Sequence, residues 1–171
     1  MQPAHAVGLY VKPHSAILSA EMPPSNHYLT SQPMKYPFRV KRRVRFGDCD
    51  PGGVLYTPNI GFYVTESIRE FMDHVMGAPF ERAVLNLGVL PPAKSISVEF
   101  LSFMKWDDEL EISVAVKEIG NTSYTFAVHG YCIGTPVFIA EFTQVCVDPD
   151  TKRPTPIPQA LRLALGQHSN V

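Results

Sequence analysis

The stretch FGDCDPGGVLYTPN, Phe46 to Asn59, sets two carboxylates, Asp48 and Asp50, two residues apart. Pro-Gly-Gly follows at once, and then an apolar-periodic segment begins. A carboxylate so placed has the chemistry of a general base or a nucleophile, and attack on a carbonyl also needs donors where the oxyanion forms. Asp50 precedes Pro51, which biases it toward an extended conformation. Gly52 and Gly53 permit backbone angles and close approaches that a side chain would block. A helix starting a few residues later presents unpaired N–H groups and the positive end of its dipole. A chain bent here holds a carboxylate beside backbone donors. On spacing alone the plainer reading is an aspartate-rich turn, in which Asp48 and Asp50 only accept backbone hydrogen bonds.

The elements that must position this stretch are legible on both sides of it. Before it, Phe38, Val40, Val44 and Phe46 alternate with Arg39, Lys41, Arg43 and Arg45, the period of a strand with one buried face. Arg42 interrupts the apolar series and is expected near an edge or snorkelling. The basic face is either a solvated strand surface or an attraction for a phosphate-bearing ligand. After the stretch, Thr57 reads as a helix N-cap and Pro58 as the first helical residue. Ile60, Val64, Ile68, Phe71 or Met72, and Val75 recur at helical spacing until Gly77 supplies a stop. Phe62, Tyr63 and Met76 add apolar surface outside that stripe, so the helix should be covered on more than one side.

Beyond Pro79 a short helix is expected over 82–87, ending at Gly88. Period two then returns in KSISVEFL, ELEISVAVKEI, SYTFAVHGYC and VFIAEFTQVCV, separated by turns at KWDD, GNT and IGTP. DPDTKRPTPIP closes the sheet, and Gln159 to Leu165 reads as a terminal helix. With no crossover helices between the later strands, a doubly wound parallel sheet is excluded as the first choice. The class is α+β, one long helix packed on a curved antiparallel sheet.

At 171 residues the chain suits one domain able to fold without disulfides or a structural metal. Residues 1–33, rich in Pro, Ser, His and Gln, read as a poorly structured N-terminal extension; 34–166 form the domain, and 167–171 a C-terminal tail. A net charge of −1 gives no global pull toward nucleic acid or anionic membrane. No apolar run is long enough to span a bilayer, and the first twenty residues lack the pattern of a signal peptide. The three cysteines, Cys49, Cys132 and Cys146, show neither a CxxC pair nor metal-ligand spacing, which fits reduced thiols in a cytoplasm.

Taken whole, FGDCDPGGVLYTPN resembles the signature of the hotdog-fold acyl-CoA thioesterases, in particular the 4-hydroxybenzoyl-CoA thioesterase group. There a strand ends in F-G-D-C-D-P-x-G, followed by an apolar pair, an aromatic, and P-N at the start of the central helix. The resemblance continues through SISVEFLSFMKWDDELEISV to DPDTKRPTPIP, covering residues 34–166. It implies the hotdog fold, an antiparallel sheet wrapped around the long helix, assembled as a homodimer or homotetramer with active sites at the subunit interface. It also implies hydrolysis of an acyl- or aryl-CoA thioester, with no metal and no cofactor, CoA being part of the substrate.

Carried over, Asp50 takes the place of the catalytic carboxylate, as nucleophile or as general base through water. The Thr57 backbone N–H falls where the family polarises the thioester oxygen, with Tyr56, Gly53 and Asn59 completing the substrate-binding segment. Asp48 matches an acid that braces the turn. Cys49, with no activating partner evident, reads as packing. Threonine at position 57 departs from the Tyr or His that relatives often carry, so acyl preference does not transfer. GNTS, Gly120 to Ser123, lacks the cations with which the benzoyl-type enzyme grips the nucleotide phosphates of CoA. Lys152 and Arg153, with Lys117, are the candidate replacements, and the gap leaves room for a carrier-protein thioester.

Glu66 reads as a polar helix residue or interface contact, although another hotdog branch uses a helix carboxylate for catalysis. His129 reads as structural. Tyr56, Ile60, Tyr63, Val64 and Phe100 offer either an acyl lining or plain core. A non-catalytic acyl-thioester-binding domain is the main competing reading. Hydration of an enoyl thioester ranks last, since no His falls in the Asp50 segment.

Overall fold

The alternating segments form one antiparallel sheet in a computed structural model that describes residues 37–169. The extension expected over 1–33 lies outside the described residues. The strands are β1 (Phe38–Arg43), β2 (Ala93–Phe100), β3 (Glu109–Ile119), β4 (Ser123–Cys132) and β5 (Thr135–Val145), in the order β1-β3-β4-β5-β2. Every neighbouring pair is antiparallel. The long helix is α1 (Ile60–Met76), followed by α2 (Phe80–Asn86) and, after the sheet, α3 (Gln159–Gly166). This is the helix-and-curved-sheet arrangement expected of the hotdog fold.

The core sits where α1 crosses the sheet. Ile60, Tyr63, Val64, Ile68, Phe71 and Met72 are buried together with Val114, Phe126, Val128 and Ala140 of the central strands. Phe71 is the hub. Its ring lies 5.8 Å from Phe126 edge-on and 5.8 Å from Phe38, tying the helix to β4 and to the edge strand β1. The buried Ser67 hydroxyl on the helix donates to the Tyr63 carbonyl one turn back at 2.8 Å, so its burial leaves that group paired. Gly77 ends α1 in the left-handed conformation.

The basic face of β1 resolves into cross-strand ion pairs. Arg39 meets Glu111, Lys41 meets Glu109, and Arg43 meets Asp107, so this face is a solvated one whose cations are already matched. Such exposed pairs contribute only about 0.2–1 kcal/mol each, and they set register more than stability. Arg42 turns to the other face and reaches Glu70 of α1, which is why it interrupts the apolar series.

Three local readings change. Thr57 does not cap α1. Residues Thr57–Asn59 form a 3₁₀ turn entered from extended Tyr56, with no side-chain cap bond, and the α-helix begins at Ile60. The segment after Val44 likewise leaves β1 at Arg43 and forms a 3₁₀ turn over Phe46–Asp48. Gln167 to Ser169, read as part of a tail, are docked. The His168 carbonyl accepts the Val116 N–H at 3.3 Å, and its ring stands edge-on to Phe71 at 5.5 Å.

Two predictions follow from this packing. Gly130 faces Phe138 so closely that an added Cβ would sit 2.0 Å from a ring carbon, and Phe138 is fully buried. Gly130→Ala should therefore lower unfolding free energy by about 1–3 kcal/mol in a urea titration. His129 is 5% exposed on β4, and burial lowers its pKa from 6.5, partly opposed by the charge of Glu141. The unfolded chain then takes up this proton before the folded one, so stability is full above pH 6.5 and declines as pH falls below it. His129→Gln should flatten that acid slope in unfolding experiments between about pH 7 and pH 5.

Candidate active site

The stretch that opened the sequence folds into a miniature hairpin. The Asp50 N–H donates to the Val54 carbonyl at 2.8 Å, and the Tyr56 N–H donates to the Asp48 carbonyl at 2.9 Å, with Cys49 bridging Leu55 between them. Asp50-Pro51-Gly52-Gly53 is its turn, closed by the Gly53 N–H on the Asp50 carbonyl at 2.9 Å. Gly53 holds φ of 77°, which a residue with a Cβ rarely adopts. Gly52 donates its N–H to Asp50 Oδ1 at 2.8 Å, and a Cβ there would come within 3.0 Å of the same oxygen. Pro-Gly-Gly thus leaves the half-buried Asp50 carboxylate with one oxygen tethered.

Asp48 carries the bracing. Its Oδ2 accepts the Tyr63 hydroxyl at 2.6 Å and the Arg45 N–H at 3.0 Å. Its carbonyl accepts Asn59 Nδ2 at 2.9 Å as well as the Tyr56 N–H. Burial, then the hydrogen bond to Asp48 and its charge, push the Tyr63 phenol well above its ordinary pKa, so the phenol stays protonated and donates. The acid expected to brace the turn therefore joins the 3₁₀ turn, the hairpin and α1.

Thr57 is exposed at the start of the second 3₁₀ turn, and among the described residues its N–H has no hydrogen-bond acceptor. Tyr56 is exposed beside it, and Asn59 is engaged with Asp48. Cys49 packs against the core, its Sγ 3.6 Å from the Arg45 carbonyl. Burial first, then the flanking Asp48 and Asp50, raise its thiol pKa. Glu66 is paired with Arg69 on α1. Ile60, Tyr63 and Val64 are buried in the core, which leaves them little surface to offer a ligand.

Asp50 borders an open cavity of about 440 Å³ lined also by Phe46, Cys49, Gly53, Lys105 and Trp106. The sequence reading missed Phe46, Lys105 and Trp106 as site residues. KWDD was a turn, and the only signal was an aromatic at a turn position. The structure shows why they belong here. The Trp106 N–H reaches the Gly53 carbonyl at 3.3 Å, and Leu55 donates to the Met104 carbonyl at 2.7 Å, so the two turns are one piece.

The cations proposed for the nucleotide are elsewhere. Lys117 crosses β4 to pair with Glu141 of β5. Lys152 bonds the Pro149 carbonyl, and Arg153 lies in the same turn after β5. At about 3.3 Å per residue, Lys117 is roughly 25 Å along β3 from its Glu109 end, where the Asp50 turn docks. Within one chain these cations do not join Asp50. Among the described residues no three His, Cys, Asp or Glu side chains are grouped so as to hold a metal ion.

Comparison with known proteins bears on this arrangement directly. Residues 44–165 match the model of the thioesterase-like superfamily. A 1,4-dihydroxy-2-naphthoyl-CoA hydrolase of Prochlorococcus marinus is 30% identical over 129 residues, 71% of this chain and 84% of that protein. A 4-hydroxybenzoyl-CoA thioesterase of Pseudomonas sp. is 28% identical over 86 residues, 50% of this chain and 61% of that protein. Among solved structures, a thioesterase-superfamily protein of Jannaschia sp. superposes with a TM-score of 0.75 at 26% identity, covering 82% of this chain and 99% of the other. The chain belongs to the thioesterase-like superfamily, and its fold is the hotdog fold.

Proposed function

We propose that this protein is a thioester hydrolase that cleaves an acyl- or aryl-CoA thioester through Asp50. The observation that carries this reading is a tethered carboxylate at a cavity, on a hairpin whose returning arm leads directly into a helix start where, among the described residues, the Thr57 N–H has no acceptor. The names of the relatives, CoA hydrolases and thioesterases, support it.

In the reaction, the thioester oxygen takes the Thr57 N–H, whose position at the positive end of the helix favours the oxyanion. Asp50 then acts in one of two ways. As general base it removes a proton from water while the water oxygen bonds to the carbonyl carbon. As nucleophile its free oxygen bonds to that carbon, and water later cleaves the resulting anhydride. Either way the C–S bond breaks, the electron pair leaves on sulfur, and the products are the free acid and CoA. Neither route draws on a cofactor.

The same proposal covers assembly and location. β2 is an edge strand whose residues Ala93 to Ser97 are exposed and unpaired on one side, an edge suited to a second copy. A homodimer or homotetramer with sites at its interfaces fits that edge. The three cysteines are free, consistent with a reducing cytoplasm, and no helix among the described residues is long and apolar enough to cross a membrane. A carrier-protein thioester that brings its own contacts is the second substrate reading, since the GNTS turn, Gly120 to Ser123, carries no cation of its own.

Asp50→Asn should fold normally and lose roughly a hundred- to ten-thousandfold in kcat for thiol release from CoA esters. Turnover close to wild type in that variant would remove Asp50 from the mechanism. Tyr63→Phe leaves Asp48 one donor short without touching substrate. It should lower kcat about tenfold with little change in KM, and shift the urea midpoint by the equivalent of about 1–3 kcal/mol.

A further inference from the structure

The cavity beside Asp50 carries two features that hydrolysis alone does not require. Phe46 is 78% exposed and Trp106 is 59% exposed, yet both face the same space as the Asp50 carboxylate. Their rings meet edge-to-face at 6.0 Å and 87°. That geometry is favourable for an aromatic pair and leaves a ring face of each open to a third ring. Large apolar side chains left this open together are unusual on a polar surface and mark a place where something binds.

The wall is held in place from behind. The Trp106 N–H bonds the Gly53 carbonyl, and the next residue, Asp107, donates its N–H to the Val44 carbonyl while holding φ of 72°. A non-glycine residue in that region costs free energy that the turn must offset elsewhere. Lys105 N–H is fixed on Asp108 Oδ2 at 2.7 Å, which orders the backbone from which Lys105 and Trp106 project. Among the described residues the Lys105 ammonium makes no ion pair, although it borders the same cavity.

Position decides which part of a thioester meets this wall. Asp50 must reach the carbonyl carbon, so whatever fills the cavity it shares lies within a few bonds of that carbon. The nucleotide end of CoA is held away by the whole pantetheine arm. The acyl group and the thioethyl-amide end of that arm are what remain, and of these only an acyl ring offers a flat face to two open aromatic rings. A cavity of about 440 Å³ lies within the usual range for small-molecule sites.

We propose that Phe46 and Trp106 are the specificity-determining residues of this site, receiving the acyl group as a planar aryl ring, with Lys105 placed for a polar or anionic ring substituent. This rests on the reading of Asp50 as the hydrolytic carboxylate, but its test does not depend on turnover. Trp106 is the single tryptophan of the chain, so intrinsic tryptophan emission reports on this wall alone.

The experiment titrates full-length Asp50→Asn, in which the ester persists, with benzoyl-CoA, hexanoyl-CoA and free CoA while recording that emission. The free protein should emit as a water-exposed indole. Benzoyl-CoA should quench the emission and shift it to the blue at saturation, and free CoA should leave it unchanged. In the otherwise wild-type protein, Trp106→Ala should lower kcat/KM for benzoyl-CoA about tenfold, chiefly through KM, and that for hexanoyl-CoA less than about threefold. Lys105→Ala should reduce the preference for 4-carboxybenzoyl-CoA over benzoyl-CoA.

Turnover of benzoyl-CoA without an emission change in the Asp50→Asn titration would overturn the aromatic wall and leave the hydrolase standing. An emission response with no turnover by the wild type would support the wall and overturn the hydrolase. Emission already blue and indifferent to ligand would assign Phe46 and Trp106 to a contact between copies, and equal losses for both esters would reduce Trp106 to a structural residue. Either result overturns the proposal.

Discussion

One aspartate holds the site together, through its carboxylate and its backbone carbonyl, and it is not the one proposed to react. Asp48 gathers four hydrogen bonds, from the Tyr63 hydroxyl, the Arg45 and Tyr56 N–H groups and the Asn59 amide. Those partners come from the start of the first 3₁₀ turn, the returning arm of the hairpin, the second 3₁₀ turn and α1. The Tyr63 and Arg45 bonds fall on the ionised carboxylate and contribute about 1.5–3 kcal/mol each, whereas the Tyr56 and Asn59 bonds fall on the backbone carbonyl and contribute about 0.5–1.5 kcal/mol each. The position of Asp50 relative to Thr57, seven residues on, is therefore held by the Asp48–Tyr56 bond together with the Asp50–Val54 bond that closes the hairpin.

The sheet imposes a second constraint. β3 runs eleven residues from the turn that docks on the Asp50 hairpin to the turn near Lys117, so the ends of the molecule are far apart. The proposed site lies at one end, where backbone bonds from Val44, Gly53, Leu55 and Trp106 weld three loops together. The other end is closed by Cys146 on Thr122, Ile157 on Asn121 and Arg162 on the Gly120 carbonyl. GNTS, with no cation of its own, thus borrows Arg162 as a structural clamp on its carbonyls. A guanidinium committed to two backbone oxygens is poorly placed to serve a phosphate as well.

Much of this was legible in the sequence because short-range periodicity encodes it. β3 and β4 lie where alternation put them, residue for residue, and α1 follows its apolar spacing to Gly77. The hairpin turn was legible too, since Pro51, Gly52 and Gly53 allow few other paths. What escaped depends on partners distant in the chain. The Tyr63–Asp48 bond spans fifteen residues and looks, in sequence, like one more apolar position on the helix. Trp106 is more than fifty residues from Asp50, and the pairing of Gly53 to Leu55 with Met104 to Trp106 brings them to one cavity. Ile60, Tyr63 and Val64 could line a pocket or fill a core on spacing grounds, and the closeness of α1 to the sheet decides for the core.

The same local electrostatics explain why a chain with a thiol between two acids is suited to carboxylate chemistry. A cysteine nucleophile needs its thiolate stabilised by a cation, a helix N-terminus or an open, polar setting. Cys49 has the reverse: burial against the core and a carboxylate on each side, all of which raise its pKa. Its Sγ faces the Arg45 carbonyl, an acceptor that favours the protonated thiol. The two acids that suppress the thiol differ from each other in turn. Asp48 has its Oδ2 engaged by the Arg45 N–H and the Tyr63 hydroxyl, whereas Asp50 has one oxygen tethered to Gly52 and the other with no partner among the described residues. Each acid keeps one oxygen without a partner among the described residues, but of the two carboxylates only Asp50 lines the cavity shared with Phe46 and Trp106. That difference in surroundings is what favours Asp50 as the proposed base or nucleophile.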